Sequence, residues 1–138
     1  MYGALDISTS GMIAQRTRLA AIAGNIANAN TILNEFGELD PYRRREAHFA
    51  PGDPSAPSRS GRQMGVHVRE IVVRDDAVRL KHAPGSPYAD EDGYVPVPDI
   101  SVQVEQLNAL TATRAYEANV AAAETTKTMM AQALRLIA

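Results

Sequence analysis

Three histidines, an acidic turn and a run of arginines are the residues of this chain best suited to chemistry. The imidazoles of His48, His67 and His82 are able to ligate a metal. Their spacing matches no ligand pattern, however, and no helix would set two of them at i and i+4, so a metal role is not expected. Asp90-Glu91-Asp92-Gly93 resembles the start of a calcium loop. Counted from Asp90, the fifth position is Tyr94 and the twelfth is Ser101, where such a loop needs an oxygen ligand and a bidentate glutamate. An acidic surface turn is the better reading. Arg43-Arg44-Arg45 could grip phosphate, yet no aromatic residue interleaves the run and no nucleic-acid module surrounds it. Pairing with acidic groups on a neighbour fits it at least as well. There is no phosphate loop, nucleophile elbow or acid–base pair. Cysteine is absent, which removes disulfides, thiolate metal sites and cysteine nucleophiles. No catalytic, cofactor-binding or metal-binding residue is expected, and no cofactor, nucleic acid or small-molecule substrate.

If the chain performs no chemistry, its polar side chains have some other use, and the asparagines pose that question most sharply. Asn25, Asn28 and Asn30 crowd the end of an otherwise helical segment, and Asn119 lies in a second one, although asparagine is a mediocre helix former. One reading is a helix cap and a solvated face. The other is that their amides satisfy backbone groups where subunits meet.

Both helical segments are terminal. From Leu5 to Asn28 there is no proline, and only Gly11 and Gly24 interrupt. From Ile100 to Ala138 there is neither glycine nor proline, enough for a rod of roughly 55 Å. Leu5, Met12, Leu19 and Ile26 recur at a spacing of seven, with Ile22 between them and Ser8 and Gln15 as polar neighbours. Asn28-Ala29-Asn30 is the expected stop, closed by a left-handed asparagine. In the C-terminal segment one seam runs through Tyr116, Val120, Ala123, Met130, Leu134 and Ile137. A second carries Ala115, Ala118, Ala122, Thr125, Met129 and Leu136. The shorter first helix cannot cover both seams, which leaves surplus apolar surface of the kind that marks interaction sites.

All eight prolines fall between these segments. Val66 to Val73 reads as a strand whose alternation slips at Arg69-Glu70, as a bulge would make it. Shorter strands are expected at Val78 to Lys81 and at Tyr94-Val95, and Asp99 is the expected N-cap of the last helix. Composition makes 50–65 a flexible loop. The expected fold is mainly α with a small β-containing middle, the N- and C-terminal helices paired as a coiled coil. Residues 1–33 plus 99–138 would form the helical part and 34–98 the turn-rich middle. The 138 residues suit one ordinary domain, and a net charge of −2 exerts no general pull toward nucleic acid or membrane. No apolar run approaches the ~18 residues of a membrane span. Asp6 and the polar residues after it argue against a cleavable signal peptide.

The run GNIANANT, Gly24 to Thr31, resembles the N-terminal signature of bacterial flagellar rod and hook proteins. PGSPYADEDGYVPVPDISVQVEQLNALTATRAYEANV, Pro84 to Val120, together with ETTKTMM, Glu124 to Met130, and YRRREAHF, Tyr42 to Phe49, is similar to the proximal rod family FlgC. Gly24 stands where that family often has Asn or Ser, and His82-Ala83 where an aromatic–acidic pair is common. The resemblance implies a structural subunit of the flagellar basal-body proximal rod. Its terminal helices would form the inner layer of a helical tube that transmits motor torque and encloses the export channel. The implied partners are other copies of the chain, other proximal rod proteins, the rod-to-ring adaptor protein with its membrane ring, and the flagellar type III export apparatus. The implied location is the periplasmic rod, reached without a cleaved signal. Leu19, Ile26, Tyr116, Val120, Met130, Leu134 and Ile137 are the expected assembly seam, with Asn25, Asn28 and Asn119 as polar contacts. Competing readings are another rod- or hook-type axial component, for which a longer middle would be needed, and a helical adaptor or secreted needle-like assembly protein.

Overall fold

The computed structural model describes the backbone of residues 2–137 and the side chains of residues 3–136. Two long helices, α1 (Tyr2–Ala27) and α3 (Val102–Ile137), pack along each other and carry a β-containing middle. The middle consists of β1 (Arg45–Pro51), a six-residue helix α2 (Arg59–Met64), β2 (Val66–Val73), β3 (Val78–His82) and β4 (Tyr94–Pro98). β1 pairs with β2 and β3 with β4, in two separate antiparallel ribbons.

The helix pair is antiparallel. Asn25 meets Glu105 near one end, and Gly11 meets Asn119 further along. A side chain on Gly11 would place its Cβ 2.7 Å from Asn119 Oδ1, so a larger residue there must push the Asn119 side chain aside. The buried line on α3 recurs every seven residues, through Glu105, Ala112, half-buried Asn119 and Thr126. Its counterpart on α1 runs through Ser8, Gly11, Ala14, Ala21, Ile22 and Asn25. This is a coiled-coil seam of small and polar residues, and it corrects the expected centre. Leu5, Met12, Leu19 and Ile26 are all half-buried and flank the seam. The reason is that α1 is covered from two sides. α3 packs on one flank and α2, β1 and β2 on another, so no single apolar stripe marks its buried surface.

Three local expectations change in detail. α1 does stop at Asn28-Ala29-Asn30, but no non-glycine residue among those described has a positive φ. Closure comes instead from Asn28, whose backbone N and side-chain Nδ2 both donate to Gly24 O, at 3.1 and 2.9 Å. Asp99 does not cap α3, because the helix starts at Val102 and it is the Ser101 hydroxyl that accepts from Val104 N, at 3.5 Å, while Asp99 N donates to Ala77 O at 2.8 Å across the end of the β3–β4 ribbon. The helix begins after Ser101, whose carbonyl accepts from Glu105 N at 3.0 Å. The bulge in β2 lies where the alternation slips: His48 faces Glu70 and Phe49 faces Val68, leaving Arg69 as the extra residue.

β1 has no counterpart in the sequence pattern, since its exposed and half-buried residues do not alternate as apolar and polar. Residues 50–65 carry regular structure at their end. Ser58 caps α2 by accepting from Gly61 N at 3.0 Å, and Ser58 N donates to Asp6 Oδ2 on α1 at 3.2 Å. The 90–93 segment is the expected acidic turn, with Tyr94 N donating to Asp90 Oδ1 at 2.7 Å.

Candidate functional site

The buried polar groups converge where α1, α3 and β1 meet. Asn25 is 0% exposed and Glu105 1%, the largest polar side chains sealed inside the protein. Asn25 uses both ends of its amide. Its Oδ1 accepts from Arg45 N at 2.9 Å and from the Tyr42 hydroxyl at 3.3 Å. Its Nδ2 donates to Arg45 O at 2.8 Å and to Glu105 Oε2 at 3.1 Å. One asparagine therefore holds the first residue of β1 like a strand partner while reaching across to α3. The other carboxylate oxygen of Glu105 accepts from Arg44 Nε at 2.9 Å and Nη2 at 2.8 Å. A carboxylate taken out of water needs such partners, and each charge-assisted bond contributes roughly 1.5–3 kcal/mol.

The pairing continues outward. Arg44 Nη1 donates to Glu46 Oε1 at 2.6 Å, and Arg74 reaches the other Glu46 oxygen at 3.7 Å. Arg74 in turn grips both oxygens of Asp76, at 2.9 Å each. Those hydrogen bonds hold the Asp76 carboxyl below its ordinary range and raise the Arg74 guanidinium above its own. An alternating chain of charges thus runs from the helix seam to the surface of the middle. It clamps the two parts of the molecule together.

The opposite end of the helix pair is unfinished. α3 has 36 residues against 26 in α1. The register set by Asn25–Glu105 and Gly11–Asn119 brings Gly3 level with Lys127, so no described residue of α1 lies level with the turns from Met129 onward. Leu134 is 67% exposed and Leu136 88%.

A family model described as "Flagella basal body rod protein" matches residues 5–32, most of α1 and its closing turn. Relatives match nearly the whole chain. The flagellar basal-body rod protein FlgC of Salmonella typhimurium is 35% identical over 135 residues, covering 95% of this chain and 93% of the relative. That of Bacillus subtilis is 33% identical over 145 aligned positions, covering 98% and 97%. That of Aquifex aeolicus is 38% identical over 130, covering 92% and 90%. The chain belongs to the FlgC family of flagellar basal-body rod proteins. FlgC proteins are structural components of the rod, and the clamp has the character of a structural device.

In this FlgC-family chain the residues expected at an assembly seam divide into three groups. Asn25 is wholly spent inside the molecule. Leu19, Ile26, Asn28, Tyr116, Asn119 and Val120 are half-buried along the helix pair, and Asn119 rests on Gly11 while donating to Ala115 O at 2.8 Å. On the overhang Met130 is half-buried and Leu134 is largely exposed. The side chain of Ile137 lies outside the described residues. Glu105 is the residue that the sequence reading passed over, and Arg44 appeared there only as part of the arginine run. The one signal for Glu105 was its place as an isolated acid on the seven-residue line of Ala112, Asn119 and Thr126. Two of the three arginines find acidic partners within the chain: Arg44 on Glu105 and Glu46, and Arg43 on Asp40 at 2.9 Å.

The histidines do not assemble. His67 Nδ1 is 2.6 Å from Gly52 O, His82 packs against Tyr94, and His48 lies 3.8 Å from Glu46. Among the described residues no three His, Cys, Asp or Glu side chains converge as a metal would require, and no helix is long and apolar enough to cross a membrane.

Proposed function

We propose that the chain is a structural subunit of the proximal rod, building with further copies of itself and other proximal rod proteins a helical tube that transmits motor torque and encloses the export channel. It performs no chemistry. The observation that carries this reading is the apolar overhang of α3, where Leu134 and Leu136 are largely exposed. An unpaired apolar helix end gains stability only when buried, and in a rod the neighbour that buries it is another axial subunit. Residues 1–33 plus 99–138 form the inner, helical part in this reading and 34–98 the outer part. Met130, Leu134 and Ile137 make the principal contacts between subunits, while Leu19, Ile26, Tyr116, Asn119 and Val120 brace the helix pair behind them. The rod-to-ring adaptor protein and the membrane ring are the neighbours at the base. Delivery to the periplasm runs through the flagellar type III apparatus.

Electron microscopy of basal bodies purified from cells that express a tagged chain tests the assignment. Label is expected at the rod next to the membrane ring. Intact rods carrying no label, from cells in which the tagged chain is the sole copy and supports swimming, would overturn it.

A further inference from the structure

The most exposed large side chain of the middle is displayed by a loop built to hold it. Phe36 is 87% exposed at the tip of a turn between Leu33 and Leu39, which bridge one another. Asn34 Oδ1 accepts from Phe36 N and Glu38 N, each at 2.9 Å, and Asn34 Nδ2 donates to Glu38 Oε2 at 3.0 Å. Gly37, with φ +78°, supplies the left-handed residue on which the turn depends. An aromatic ring held in water by a rigid turn is an anchor whose ordering cost has been met before binding. Around it the charge is negative, from Glu35 and Glu38.

A complementary cleft adjoins the loop, since Arg45 lines both that cleft and the hollow beside Glu35 and Phe36. It encloses about 280 Å³ between α1, β1 and α3, with Ile22, Phe49 and His48 among its walls and Arg18 and Arg45 at its edge. Its acids, Glu46 and Glu105, are already paired with Arg44. Arg18 and Arg45 form no ion pair with a described residue, and Arg45 lies over the Tyr42 ring at 5.4 Å. The cleft therefore offers apolar surface and net positive charge to an occupant of opposite sign.

We propose that the occupant is the Phe36 loop of a second copy of this chain, with Glu35 and Glu38 facing Arg18 and Arg45. Loop and cleft have only Arg45 in common among their lining residues, so the contact joins two different patches. Such a heterologous contact propagates as an open series wherever the rotation between copies does not close a ring. The inference deepens the rod-subunit reading and rests on it by naming the lateral contact between neighbouring copies.

The natural chain has no cysteine, so engineered thiols report only on the chosen pair. Purified full-length Leu39→Cys and His48→Cys chains, which keep the Phe36 anchor, are mixed and oxidised over a range of concentrations and are expected to form a disulfide-linked heterodimer. Its yield should exceed by about tenfold that of Leu39→Cys mixed with Lys81→Cys, whose thiol lies exposed on β3, away from the cleft and the α3 overhang. Arg18→Glu should lower the yield, and Glu35→Arg on the other copy should restore it. In sedimentation, Phe36→Ala should weaken self-association by about thirtyfold, the loss typical of an aromatic hot spot. A heterodimer yield no higher than the Lys81 control, or charge variants without effect, would overturn the contact. The rod-subunit reading would survive that result, because its own failure appears separately, as absence of the chain from purified basal bodies.

Discussion

Replacing Arg44 by methionine removes the one cation that, among the described residues, pairs with the carboxylate of Glu105, itself 1% exposed. Glu105 would lose two charge-assisted hydrogen bonds, at 2.9 and 2.8 Å, and keep the amide of Asn25 as its main partner. Stranding a buried charge costs about 3–5 kcal/mol. The Arg44 side chain is itself 29% exposed, so water reaches part of the site and the lower end, ~3 kcal/mol, is the appropriate estimate. Against the ~5–15 kcal/mol of total stability usual for a domain, such a loss is large. Glu105→Leu should be milder, about 1–2 kcal/mol, because Arg44 retains Glu46 at 2.6 Å and Asn25 retains the Arg45 backbone. The double variant should be more stable than Arg44→Met alone, since no charge is then left buried. Urea unfolding followed by circular dichroism measures all three, with the m-value checking that the unfolding transition is unchanged in extent. A penalty for Arg44→Met below about 1 kcal/mol would refute the clamp. So would a double variant that loses the full sum of the single losses.

Further expectations follow from other points of the structure. Leu134→Asp should leave expression and the helix pair intact and block incorporation into rods, as counted in basal-body preparations; normal rods containing the variant would remove Leu134 from the interface. Hydrogen exchange on the dilute chain should show protection strongest around Asn25 and Glu105 and falling away along α3 beyond Met129, with those last turns protected only after assembly. Uniformly strong protection of α3 in the monomer would contradict order on assembly. Gly11→Val should destabilise the chain by displacing Asn119, and Asn119→Ala should recover much of the loss; equal instability of the single and double variants would place the fault elsewhere. An NMR titration should give Asp76 a midpoint below the ordinary 3.8, and Arg74→Gln should return it to that value. The sign follows from the depressed folded value: the stability contributed by Asp76 is present above the unfolded pKa and disappears as pH falls through the folded one.

Periodicity was enough to locate both long helices, the bulged strand and the apolar surplus of α3, because each depends on residues close in sequence. The line along which the helices touch was hidden, because Gly11, Ala14 and Ala112 belong there for their smallness, which a search for apolar heptads passes over. Asn25 drew attention as an asparagine in a helix, yet whether its amide served another subunit or this one depended on β1, a strand without alternating character. Glu105 looked like any solvated acid. Only the approach of Arg44 from 61 positions away in the chain gives it a reason to be buried.

The clamp also decides how much of α3 remains for other molecules. Small side chains pack almost equally well against one another in several registers, so Gly11, Ala14, Ala21 and Ala112 alone fix the helix pair weakly. Sliding α3 by one heptad would set Ala112 beside Asn25, leave Glu105 without its amide donor and pull its carboxylate away from Arg44. Such a slip would cost several kcal/mol through the stranded charge while changing the apolar contacts little. The polar end therefore selects one register, and that register determines which apolar residues of α3 extend past the start of α1. Glu105, a side chain sealed inside the subunit, then sets the surface through which the subunit assembles. Weakening it should increase the heterogeneity of subunit contacts before it unfolds the subunit.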